Sequence, residues 1–114
     1  MYTVDDLERA RAAVANVERR LDDYDGNNPN KHRTEVAEAR EHAYRVERAL
    51  KRERLIPLTP HDEVELALDE KYPRAGSKTT VEYEGKRYVK TFSPGARSLS
   101  GGVRFWIESW AEAS

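Results

Sequence analysis

Two runs of apolar residues at alternating spacings of three and four, separated by the link DGNNPN, constrain this chain more than anything else in it. In the first run Leu7, Ala10, Val14, Val17, Leu21 and Tyr24 form a heptad seam. In the second, His32, Val36, Ala39, Ala43, Val46, Leu50 and Glu53 repeat it. Thr3 with Asp6 supplies a capping pair ahead of the first run, Gly26 suits a left-handed helix end, and Asn28 before Pro29 suits a cap and first turn. The pattern predicts an antiparallel, coiled-coil-like helical hairpin over residues 1–54.

Folding the chain back about Asn27 and Asn28 sets Leu21 level with Val36, Val14 with Ala43 and Leu7 with Leu50. The same fold brings Asp22, Asp23 and Asp25 beside Lys31, His32 and Arg33, and Asp5, Asp6 and Glu8 opposite Lys51, Arg52 and Arg54. These charges oppose the helix dipoles, so pairing across the hairpin is the expected compensation. One narrow seam leaves Tyr24, Ala37 and Tyr44 over, to lie against the C-terminal part or a second copy of the chain. A homodimer in the form of a four-helix bundle is therefore among the expected assemblies.

Residues 55–114 read as a small helix-plus-β-meander head packed on that hairpin. After Pro57, Thr59 serves as cap, Pro60 as first helical residue and Asp62 as third, giving a short helix to about Tyr72 with Val64, Ala67, Leu68 and Tyr72 on its apolar face. KTTVEYEGKRYVKTF alternates around Glu84-Gly85, a two-residue hairpin that sets Val81 opposite Tyr88 and Glu82 opposite Arg87. Val81, Tyr83, Tyr88, Lys90 and Phe92 then share one face. Ser93-Pro94-Gly95 reads as a turn opening a mobile loop, SPGARSLSGG. In the last run, VRFWIESW, the expectation is Val103, Phe105 and Ile107 inward and Trp106 outward. The fold class is α+β, a helical hairpin followed by a short helix and a three-stranded antiparallel sheet.

Charge is unevenly spread along the chain. Residues 1–70 hold 12 Lys/Arg against 17 Asp/Glu, residues 71–104 hold 8 against 2, and the last ten hold two Glu, for a total of -1. The absence of cysteine rules out disulfides, thiolate metal sites and a cysteine nucleophile. A charged first segment and the lack of a long apolar run predict a cytoplasmic protein with no membrane partner. Glu38 with His42 lacks a third ligand at compatible spacing, the serine-glycine loop lacks the Gly-Lys-Ser/Thr ending of a phosphate loop, and no hydrolase or dinucleotide motif appears. No catalytic residue, metal or cofactor is expected.

Basic residues interleaved with aromatics over GKRYVKTF remain as the functional signal. Lys78, Lys86, Arg87, Lys90, Arg97 and Arg104 would neutralise phosphates, and an outward Trp106 would stack on a base or anchor a protein partner. The sequence pI near 6.3 favours protein over nucleic acid. The expectation is a non-enzymatic macromolecular-interaction protein, an adaptor, accessory or inhibitor of bacterial or phage type. It would bind a protein partner through the C-terminal sheet and the hairpin. The alternative is a DNA- or RNA-binding protein that uses the basic sheet.

Overall fold

A computed structural model of the chain describes residues 1–24, 26, 32–98 and 100–113. Three helices, α1 (Val4–Asp23), α2 (Arg33–Arg52) and α3 (Pro60–Lys71), precede three strands, β1 (Thr80–Tyr83), β2 (Lys86–Arg97) and β3 (Val103–Ala113). The strands form one sheet of order β1-β2-β3, so the chain is α+β as expected. Two compact units arise, one from Met1–Pro57 with Pro94–Phe105, the other from Leu58–Ser93 with Trp106–Ser114. Residues 94–105, expected in the head, thus group with the helical pair.

In the first unit α1 lies against α2. Leu7, Val46 and Leu50 are its buried cluster, with Tyr2 and Ile56 packed on it, and Ala10, Val36 and Ala37 are buried as well. Ion pairs cross the helices at three levels, Arg11–Glu47 at 3.8 Å, Glu18–Arg40 at 2.8 Å and Arg20–Glu35 at 3.9 Å. Their spacing follows the antiparallel register of the two heptad seams. Such exposed pairs stabilise little, so the apolar seam supplies the energy and the charges help select the register.

Both predicted caps at helix starts hold. Thr3 Oγ1 accepts from the Asp6 amide at 3.2 Å while the Thr3 amide donates to Asp6 Oδ2 at 2.8 Å. The Thr3 amide is the main cause holding the Asp6 carboxyl below its ordinary value. Thr59 and Asp62 build the same box ahead of α3. At the second helix His32 takes the N-cap position, its ring edge-on to Tyr24 at 5.4 Å. The expected cap at Asn28-Pro29 and the tip pairing of Asp25 with Lys31 lie outside the described residues.

α2 ends in a Schellman motif. The Leu55 amide bonds the Leu50 carbonyl at 2.9 Å, the Arg54 amide bonds Lys51 at 3.1 Å, and Arg54 takes the left-handed conformation at φ 58°. Glycine is the usual residue there. In the second unit Glu84 and Gly85, at φ 50° and 79°, form the two-residue turn that the sequence predicts. Val81 pairs with Tyr88 and Glu82 with Arg87 in the register expected.

A second irregularity lies just before β1. Lys78 at φ 67° donates its amide to the Lys90 carbonyl, and Lys90 donates to Thr79, both at 2.8 Å. Two residues thus oppose one, a bulge whose first position normally holds glycine. Leu68, Tyr88 and Trp110 form the buried cluster of this unit, with Val64, Tyr72, Ala75, Val81 and Tyr83 around it.

Two expectations for the C-terminal stretch are corrected. Ser93-Pro94-Gly95 is not a turn, because β2 runs on to Arg97. Gly95 makes this possible: the Phe105 ring occupies the space a Cβ would need. Ile107 is also not an inward residue, being 37% exposed. The alternation assumed one core for the whole of β3, whereas its residues serve two. Phe105 stacks on Tyr44 at 5.5 Å in the first unit, and Trp110, of opposite parity along the strand, fills the core of the second.

Candidate functional site

α3 turns an unexpected stripe toward the sheet. Beside Leu68, His61, Glu65 and Asp69 recur every four residues and so share one side of the helix. Glu65 Oε1 accepts from the Ser109 hydroxyl and from the Trp110 amide at 3.0 Å, with His61 Nε2 at 3.2 Å. One turn on, Asp69 Oδ1 accepts from the Trp110 indole at 2.9 Å and lies 3.4 Å from Lys90 Nζ.

Lys90 is the centre of this arrangement. Its side chain is only 5% exposed, and Nζ reaches Glu108 Oε1 at 3.3 Å as well as Asp69. The ammonium also lies 5.2 Å from the Trp110 ring and 5.6 Å from that of Phe92. A buried ammonium needs such partners, since desolvation without them costs several kcal/mol, in the range of ~3–5. Lys90 is therefore a structural cation. It shares the face of Tyr88 and Trp110, and its expected role in contacting a partner is corrected on that ground.

The other predicted contact residues scatter. Arg104 Nε is 3.3 Å from Glu41 and Nη2 is 3.7 Å from Glu38, both on α2, so this guanidinium ties the β2–β3 ribbon to the helix within the first unit. Arg97 Nη1 donates to the Gly101 carbonyl at 3.1 Å. The Ser98 and Gly101 amides are spent within the same loop, on Gly102 and Ser98. A phosphate cradle would need those donors turned outward, and the loop uses them to close itself.

In the second unit Lys86 lies 3.8 Å from Glu112. Exposed Arg87 stands across from Glu82, and with Lys86 and Glu112 they line a shallow groove. Lys78 is exposed at the bulge. Trp106, 48% exposed, is the residue of the predicted set that offers apolar surface.

Grouped by compact unit, the charge balance reverses the impression left by the linear chain. The first unit holds 14 Lys/Arg against 12 Asp/Glu, and the second 6 against 9. The head is acidic. Among the described residues no group of three or more His, Cys, Asp or Glu is placed to hold a metal ion, and no helix is long and apolar enough to cross a membrane. His42 sits edge-on to Tyr2 at 5.9 Å, and Glu38 is engaged by Arg104.

The signal for the α3 stripe was present in the sequence as a spacing of four. The apolar face of Val64, Leu68 and Tyr72 accounts for the helix without it, so the spacing alone does not single the stripe out. Comparison of the chain with protein-family models, with curated proteins and with solved structures finds no match.

Proposed function

We propose that this chain is a non-enzymatic, cytoplasmic interaction protein that binds a protein partner through β3, with Trp106 as the anchoring side chain. The exposure of Trp106 carries the reading, because tryptophan is the residue type most enriched where interfaces concentrate their binding energy. Ile107 beside it adds apolar surface on the opposite side of the strand. The charge pattern favours protein over nucleic acid: Lys90 is buried between carboxylates, Arg104 and Lys86 face glutamates, and the unit bearing Trp106 has more acids than bases. A phosphate backbone would meet net repulsion there.

The test is photo-crosslinking with benzoylphenylalanine in place of Trp106, compared with the same group at exposed Ala13 on α1. A protease-sensitive adduct at position 106 and none at 13 is expected. An adduct at twice the mass of the chain identifies a second copy as the partner. Adducts removed by nuclease, or oligonucleotide binding that weakens steeply with salt and on Arg87→Ala, replace this reading with the nucleic-acid one.

A further inference from the structure

The geometry points to a second role for α3, independent of what binds Trp106. We propose that Glu65 guards the outer edge of β3 and keeps it from pairing with the β3 strand of a second copy.

β3 is the terminal strand of the sheet, 11 residues long and without proline. An edge of that length exposes a ladder of backbone donors and acceptors, and proteins ordinarily blunt such edges. The direction of the ladder follows from two contacts. Thr91 on β2 donates its hydroxyl to the Ser109 carbonyl at 3.3 Å, so that carbonyl faces β2. In a trans peptide the carbonyl of one residue and the amide of the next point oppositely, so the Trp110 amide faces away from β2.

That outward amide is the one Glu65 takes, at 3.0 Å. The carboxylate is itself fixed from two further sides, by the Ser109 hydroxyl and by His61 Nε2. Leu68, fully buried one turn along α3, anchors the helix that carries it. A neighbouring strand arriving at β3 would have to displace this acceptor to form its own bond. The occupant excluded is a second β3, because every copy of the chain carries the same edge and C2 pairing of identical antiparallel strands needs no other partner.

Glu65→Ala removes the acceptor and frees the edge, whereas Glu65→Gln keeps an oxygen in its place. Light scattering over a concentration series is expected to show Glu65→Ala self-associating at least about tenfold more tightly than Glu65→Gln, a difference near 1.4 kcal/mol. Adding Glu112→Pro should reverse this. By alternation the Glu112 amide points outward like that of Trp110, so proline there blocks a new strand and spares the β2 ladder. A folded Glu65→Ala protein that associates no more than Glu65→Gln overturns the proposal.

Should Glu65→Ala not fold, amide hydrogen exchange on the unmodified protein decides. The Trp110 amide is expected to exchange at least about tenfold more slowly than the outward Trp106 amide two alternations away. Equal rates would show that Glu65 does not close the edge.

Discussion

The two compact units bury their interiors by different means. The first closes on an apolar seam, with Val46 and Leu50 wholly buried and its ion pairs left at the rim. The second encloses a charge: Lys90 lies inside, with Asp69, Glu108 and the Trp110 ring around it. An apolar seam tolerates imprecise geometry, because burial is non-directional. A buried ammonium stabilises only when every partner is in place. The first unit should therefore fail by loss of volume or by an inserted charge, and the second by loss of any one member of its network.

The largest effect expected is from Leu50→Asp. An unpaired carboxylate in the seam should cost on the order of 4–5 kcal/mol and remove most of the helical signal in far-UV circular dichroism. Retained helicity would mean that the seam is not what holds α1 to α2. Next, Lys90→Met should destabilise by about 3 kcal/mol in urea denaturation, because Asp69 and Glu108 lose the ammonium held between them. Adding Asp69→Asn keeps an acceptor for the Trp110 indole and removes one of those charges. The double variant should then recover at least ~1 kcal/mol, a coupling measurable by a double-mutant cycle. Additive losses would show Lys90 and Asp69 to be independent.

The two helix starts give a matched pair across the units. Thr3→Ala and Thr59→Ala should each cost about 1 kcal/mol. The cap of α1 also carries a pH signature. Because the folded-state pKa of Asp6 is lowered, chiefly by the Thr3 amide, its stabilising contribution is complete above the unfolded value of 3.8 and lost as pH falls through the folded one. Helicity followed to acid should lose this component in the parent and not in Asp6→Asn.

The smallest effects expected are gains. Arg54→Gly in the first unit and Lys78→Gly in the second relieve left-handed backbone and should each stabilise by roughly 0.5 kcal/mol. Trp106→Ser should change stability by no more than ~0.5 kcal/mol, separating its proposed contact role from a structural one.

Much of this architecture was readable from local rules. Heptad spacing placed Leu7 and Leu50 in one seam, the threonine boxes marked two helix starts, and alternation about Glu84-Gly85 set the β1–β2 register to the residue. Each depends on neighbours within a few positions or on a two-fold count along one hairpin. The site was less legible. Lys90 counts as a basic residue whether it faces solvent or Trp110, and Arg104 reads as a free cation until Glu41, far away in sequence, is seen beside it.

By itself, then, the sequence determined element type, order, caps and local register, because those follow from periodicity and backbone chemistry between near neighbours. Tertiary structure alone decided which charges are spent, that β2 runs through Pro94 and Gly95 under Phe105, and that residues 94–105 join the helical unit. The physical reason is shared: burial and pairing of a side chain are set by what lies opposite it in space. For Lys90 that means Asp69, 21 residues earlier in the chain.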